Sequence, residues 1–358
     1  MDPTINLRSD TQTLPTPAMR RAMAEAELGD DTYGEDPTVR RLEALVAERL
    51  GHEAALLVVS GTMGNLLALM THCRPSDEVF LNAEAHVIYY ESGGLCSVAG
   101  VVPTVVPSDR GHPRPADLAA AIRGSNIHYP RPRLVWLENT HNRGAGSVMS
   151  LDHQRAVERV ARDRGLAVHL DGARIFNAAA AQGVAAAELA RTVDSAMIDL
   201  TKGLSCPLGA LVAGSRPFIE EARFRRRILG GGMRQAGVIA ACGLVAFSEL
   251  IDRIPDDHVR AHELATRVAG IGGYRVDPAS VETNMVYVDV SELGPSSAVV
   301  AALREEGLLV SDRPPGQIRL VTHLWVDEAT VGVAVERMAR AADRLARAAD
   351  RLADRPSS

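Results

Sequence analysis

Lysine is almost absent from this chain. Of its 39 lysines and arginines, 38 are arginine, and Lys202 is the only lysine among 358 residues. A codon bias toward GC-rich sequence would favour arginine everywhere, so the position that kept lysine points to a need for a primary amine. A guanidinium stays protonated and cannot condense with a carbonyl, whereas a desolvated lysine can lose its proton and form a Schiff base. Cysteine is also scarce. Cys73, Cys96, Cys206 and Cys242 are too scattered for a zinc site or a disulfide framework, and in a reducing compartment they read as small core residues. No apolar run approaches membrane-spanning length. A net charge of -6 with no basic stripe argues against nucleic acid as a partner. The N-terminus Met1-Asp2-Pro3-Thr4 lacks the basic and apolar regions of a secretory signal, so a cytoplasmic location is expected.

At 46% hydrophobic and 23% charged, the composition suits a large globular domain with a smaller one behind it. Apolar runs alternate with helical patterns. Strands are expected over Ala54 to Val59, Glu78 to Leu81, Val101 to Val106, Arg133 to Leu137, Leu166 to Leu170, Ala196 to Leu200 and Gly209 to Ala213. Between them lie helix candidates such as Asp36 to Gly51, Leu66 to Met70 and Ser150 to Arg164. This alternation predicts an α/β fold with a largely parallel sheet and right-handed crossovers. The Asp252 to Asp257 stretch reads as a boundary, giving an arm and large domain over 1–252 and a small α/β domain over 253–358. The arm around Ser9, Asp10 and Thr11 is expected to be irregular. The last helix carries a near repeat with Met338, Leu345 and Leu352 seven residues apart, which fits a docking helix or a coiled-coil seam.

Chemistry-bearing residues gather at expected strand ends, where open α/β sheets bind ligands. Lys202 follows the strand Ala196 to Leu200. Asp171, in Asp171-Gly172-Ala173-Arg174, emerges from the strand before it. Such an amine and carboxylate are either a plain ion pair or the Lys and Asp of a pyridoxal phosphate site, where the ring nitrogen needs a buried anion. Ser60-Gly61-Thr62-Met63-Gly64-Asn65 forms a strand, glycine turn and helix start. That junction is either a serine-capped helix or a phosphate cradle. His86 is either a surface histidine or an imidazole stacked on a planar cofactor. The arginines Arg223, Arg225, Arg226 and Arg227 read as a solvated or interface face. Arg319, within the apolar strand Gln317 to Thr322, is either an edge residue or a carboxylate clamp.

Six motifs occur in one order: Leu7 to Thr11, Gly29 to Pro37, Ser60 to Asn65, Glu138 to Asn142, His169 to Arg174, and Gly230 to Gln235. Together they resemble the low-specificity L-threonine aldolases over nearly the whole chain, to about Arg337. The resemblance implies the pyridoxal phosphate-dependent, aspartate aminotransferase-like fold (fold type I) and pyridoxal 5'-phosphate as cofactor. It implies aldol cleavage of L-threonine, L-allo-threonine and related β-hydroxy-α-amino acids to glycine and an aldehyde. By motif match, Lys202 is the Schiff-base lysine, Asp171 faces the pyridine nitrogen and His86 stacks on the ring. Gly61 and Thr62 hold the phosphate, Arg234 reaches it from a neighbouring subunit, and Arg174 belongs to the cofactor pocket. Ser9, Arg174 and Arg319 hold the substrate carboxylate, with Tyr33 also on the substrate side. His128, in Asn126-Ile127-His128-Tyr129, matches a histidine near the substrate hydroxyl, and His86, His128 or a water between them is the general base. No metal is implied. The expected assembly is a homotetramer, a dimer of dimers. A β-eliminating lyase or aminotransferase of the same fold, or a non-catalytic binding protein, is the alternative, and the products separate them.

Overall fold

The computed structural model describes residues 4–353, with side chains to residue 348. The chain divides into two compact units, Leu14–Asp252 and Met1–Thr13 with Arg253–Ser358.

In the larger unit seven strands form one sheet: β1 (Ala54–Val58), β2 (Asp77–Leu81), β3 (Val102–Val105), β4 (Arg131–Glu138), β5 (Ala167–Asp171), β6 (Ser195–Asp199) and β7 (Ala210–Gly214). Their order is β1-β7-β6-β5-β4-β2-β3. The four pairings from β6 to β3 are parallel, and β7 alone runs antiparallel to both its neighbours. These are the apolar runs of the sequence. A strand covered on both faces has no polar side to alternate with, and Leu56, Leu57, Val58, Leu134, Trp136, Leu137, Leu170 and Leu211 are all fully buried. Residue Asp171 ends β5 opposite Met197 of β6, so β5 and β6 deliver their following loops side by side.

Helix starts follow their capping chemistry. Asp36 accepts from the backbone of Thr38 and Val39 and Pro37 opens the helix Pro37–Leu50, which ends on Gly51 in the left-handed region. The helix after β1 runs over Gly61–His72, five residues longer at its start than the apolar pattern suggested. Ser60 caps it through the Met63 amide, so the glycine motif is its first turn and not a loop before it.

In the smaller unit, β8 (Met285–Asp289), β9 (Ser311–Arg313) and β10 (Gln317–Val321) form an antiparallel sheet with β10 in the middle. Its core joins Val286, Val288, Ile318 and Leu320 to Leu264 and Val268 of the helix Ile254–Val268, and to Met338 of the final helix Glu328–Ala353.

Several expectations are corrected. The arm belongs to this smaller unit, because Ile5–Asn6 pairs in parallel with Leu308–Leu309 and Leu7 is fully buried in its core. The arm's Ile5–Asn6 is a short strand and its Asp10–Gln12 a 3-10 turn capped by Ser9, where irregular chain was expected. The boundary expected over Asp252 to Asp257 falls where the chain divides, between Asp252 and Arg253, in a 3-10 turn, Ile251–Arg253, that runs straight into the helix Ile254–Val268. Arg319 sits on the central strand and is buried, which excludes the edge reading. Cys96 is exposed, unlike the other three cysteines. In the final helix Met338 is buried and Leu345 packs partly against the core, as a docking helix does; the side chain of Leu352 lies outside the described residues. Among the described residues no helix is long and apolar enough to cross a membrane.

Candidate active site at the strand ends

Lys202 lies three residues beyond β6, its side chain 13% exposed, with Nζ 3.1 Å from Oδ2 of Asp199. Asp199 also accepts from the backbone and hydroxyl of Thr201, at 2.8 and 2.7 Å. Burial alone would raise the Asp199 carboxyl, but the Lys202 charge and the Thr201 hydrogen bonds outweigh it and hold it below its ordinary value. The first turn of the Gly61–His72 helix stands against this pair. A Cβ on Gly61 would meet Met197 Cε at 3.2 Å and Asp199 Oδ2 at 3.3 Å, so glycine allows this close approach.

Next to it is a buried polar cluster. Asn65, one helical turn from Gly61, donates from one amide nitrogen to Glu91 Oε1 at 2.7 Å and to Asp171 Oδ2 at 2.9 Å. Glu91 in turn receives His86 Nδ1 at 2.8 Å. His86, Glu91 and Asp171 thus place one polar atom each within 4.8 Å of one another. Burial works against charging His86, yet the Glu91 hydrogen bond and the Asp171 charge raise its pKa. Glu91 is also raised, by burial first and the Asp171 charge, against the hydrogen bonds from His86 and Asn65. One proton shared between His86 and Glu91 satisfies both directions. The backbone of His86 is fixed separately, its amide donating to Glu138 Oε2 at 2.8 Å from the end of β4.

The residues present fit pyridoxal phosphate. Asp171 is 2% exposed at a strand end, a buried anion of the kind a protonated ring nitrogen requires, and Asn65 Oδ1 and Glu91 Oε2 beside it are buried without a hydrogen-bond partner. The amine of Lys202 and the open amides of a capped helix start supply the other two contacts such a group needs.

The other expected site residues are placed as follows. Gly61 and Thr62 form the first turn of the helix beside Asp199. Arg174 is buried directly before the helix Ile175–Gln182. Tyr33 closes the 3-10 turn Asp31–Tyr33 and is 74% exposed. Arg234 is held to that same turn, Nη1 3.0 Å from Asp30 Oδ2, and its carbonyl accepts the Asp31 amide. His128 is exposed on the loop after Asn126, which accepts its backbone amide, and none of the described contacts joins it to Lys202 or His86. In the smaller unit Arg319 Nη2 donates to the carbonyl of Arg8 at 2.8 Å, next to Ser9, whose hydroxyl caps Thr11. The arginine cluster is not wholly a solvated face. Arg226 is buried, 2.6 Å from Asp31 Oδ2 and 2.6 Å from the Leu57 carbonyl.

Sequence reasoning missed Glu91, Asn65, Glu138 and Asp199 as members of the site. Each is a polar residue in or beside an apolar element, and that placement was the available signal.

A family model described as beta-eliminating lyase matches residues 6–291. A low-specificity L-threonine aldolase of Arabidopsis thaliana is 42% identical over 325 residues, covering 89% of this chain and 91% of its own. A low-specificity L-threonine aldolase of Escherichia coli K12 is 39% identical over 321 residues, covering 89% and 94%. Among solved structures, the threonine aldolase of Leishmania major superposes with a TM-score of 0.78 at 20% identity, covering 96% of this chain and 99% of that one. Sphingomonas wittichii serine palmitoyltransferase does so at 0.76 with 17% identity, covering 96% and 88%. The fold is that of the fold type I pyridoxal phosphate enzymes. The chain is a lyase that belongs to the beta-eliminating lyase family and, within it, to the low-specificity L-threonine aldolases.

Proposed function

We propose that this chain cleaves L-threonine, L-allo-threonine and related β-hydroxy-α-amino acids to glycine and an aldehyde, with pyridoxal 5'-phosphate as cofactor. The observation that carries the reading is the sole lysine at the end of β6, one strand over from the buried Asp171 at the end of β5. When bound, the cofactor supplies a conjugated ring that takes up the electron pair of the breaking Cα–Cβ bond.

The chain's residues do the rest. Lys202 holds the cofactor through its amine, and Asp171 keeps a proton on the ring nitrogen. Gly61 and Thr62 bind the phosphate through the helix start, and Arg174 lines the pocket. Arg174, Ser9 and Arg319 are assigned the substrate carboxylate and Tyr33 the substrate side. His86 or His128, directly or through water, takes the β-hydroxyl proton. General-base help of this kind is worth about 10²- to 10⁴-fold. His86 suits a role in proton traffic because Glu91 fixes its Nδ1 and leaves the other ring nitrogen for the site.

Supplying the purified protein with pyridoxal phosphate and each threonine isomer tests this. Glycine and acetaldehyde in equal amounts are expected. A keto acid in their place would make the chain an aminotransferase or eliminating lyase. The family likeness also supports a homotetramer built from dimers, with Arg234 serving a neighbour's phosphate, and a cytoplasmic role in threonine and glycine metabolism.

A further inference from the structure

Asp199 has no part in the roles assigned above, yet it pairs with the lone amine. Its Oδ2 is 3.1 Å from Lys202 Nζ and 3.3 Å from where a Gly61 Cβ would stand. The carboxylate therefore faces both the nucleophile and the first turn of a twelve-residue helix, whose open amides favour an anion. The Thr201 amide and hydroxyl complete its shell. Both side chains are largely shielded, at 13% and 10% exposure, so water screens this pair little.

We propose that Asp199 is a latch on Lys202. Its carboxylate holds the amine as an ammonium ion against the Gly61 helix start, and Lys202 attacks an aldehyde only once that pair has opened. The ammonium then gives its proton to water and the free amine adds to the aldehyde carbon. A C=N bond replaces the C=O bond, and one water leaves. The latch makes cofactor uptake a pH-gated step and makes Asp199 a positioning residue. Other titratable groups acting on the pair include His86, whose charge acts on Lys202, and Cys206, which feels the Asp199 charge and shares a hydrogen bond with Cys242. The inference rests on Lys202 being the cofactor-bearing residue.

The test reads the amine directly in the full-length protein stripped of cofactor. Fluorodinitrobenzene, a neutral reagent, labels both the N-terminal amine and Lys202, and peptide mass spectrometry separates the two. Across pH 7 to 10 the wild-type Lys202 should label far more slowly than the N-terminus. Asp199→Asn should raise the Lys202 rate roughly tenfold at pH 8, because the carboxylate that pairs with the amine is gone. The N-terminal rate should not change. Cofactor uptake at neutral pH, followed by the absorbance of the bound group, should accelerate in parallel. Should Asp199→Asn fail to fold by circular dichroism, Asp199→Ser and the wild-type profile carry the test. A Lys202 rate unchanged or slowed in the variant, or a wild-type Lys202 that labels freely at pH 7, overturns the latch. Failure of wild-type protein to take up pyridoxal phosphate overturns the cofactor assignment instead, since the labelling needs no cofactor.

Discussion

Two ion pairs in the larger unit, one buried and one half-buried, use different cations. Arg226 meets Asp31 at 2.6 Å with both side chains at most 3% exposed, and its second nitrogen holds the Leu57 carbonyl on β1. Lys202 meets Asp199 at 3.1 Å beside the loop that follows β6. The guanidinium fork satisfies two acceptors at once and never loses its charge, which suits a tie between a loop and a strand. The ammonium makes a point contact that can be broken and deprotonated. A chain that places arginine at every other cationic position keeps lysine where the cation must be able to stop being one.

Exchanging the cations gives the largest expected effect. Lys202→Arg preserves charge and approximate volume and removes the nucleophile. Aldol cleavage should be abolished with the fold intact by circular dichroism. Borohydride reduction of the loaded wild-type protein should fix the cofactor on one peptide, the one containing Lys202. Label on any other peptide, or cleavage by the variant, removes the distinction between the two pairs.

The second effect concerns the carboxylate that serves the cofactor and not the lysine. Asp171→Asn keeps the shape but weakens the hold on a ring-nitrogen proton. A loss on the order of 10²-fold in kcat is expected, the scale of one preorganised electrostatic contact. Normal turnover would return Asp171 to a purely structural partner of Asn65.

Breaking the structural pair should move stability. Arg226→Met leaves the Asp31 carboxylate buried with Arg223 Nη1, 3.7 Å away, in place of its fork, so the change should cost less than the roughly 3–5 kcal/mol of a wholly unpaired buried charge. A lowered denaturant midpoint is expected in the variant, partly restored by adding Asp31→Asn. If the loss appeared in kcat and not in the midpoint, Arg226 would belong with Lys202.

How much of this could be read from sequence follows from the same contrast. Strands buried on both faces appear as apolar runs, and the exposed edge strand Val102–Val105 is rich in valine, so all seven strands of the large sheet were legible to within about two residues. The lone lysine and Asp171 were legible because composition and strand-end position mark them. Polar burial was not. Nothing local in the sequence says that Arg226 turns inward while Phe224 on the same helix is 62% exposed, or that Glu91 folds back to meet His86 and Asn65. The N-terminal arm was misplaced for a related reason. The pairing of Ile5–Asn6 with Leu308–Leu309 joins residues some three hundred apart, and no local pattern carries it.

Protonation offers a third way to separate structure from chemistry. His72 is half-buried, stacked on Phe218 with 4.7 Å between ring centroids and with Nε2 2.7 Å from the Ser195 hydroxyl. Burial lowers its pKa to about 4, against the opposing charge of Asp194. The unfolded chain binds a proton there near pH 6.5 and the folded chain does not. This contribution is therefore full above pH 6.5 and lost as pH falls toward 4, roughly 3 kcal/mol in all. His72→Gln should flatten the fall of Tm between pH 6.5 and 4. An unchanged slope would show that His72 is charged in the folded protein.

The smallest expected effect on stability belongs to the third kind of cation, Arg234. Its pair with Asp30 is 53% exposed on the arginine side, so it should contribute little to the fold. If its role lies across a two-fold interface, Arg234→Ala should leave unfolding nearly unchanged and weaken cofactor retention, on the order of tenfold for one lost charged contact. Mixing separates the two possibilities. Arg234→Ala subunits supply an intact Lys202, and Lys202→Ala subunits supply an intact Arg234. A mixed dimer then assembles one complete site and one site lacking both residues, and a fraction of the activity should return. Subunits shown to exchange without any recovery would mean that Arg234 serves its own chain, and the contrast would then rest on cations acting within one subunit.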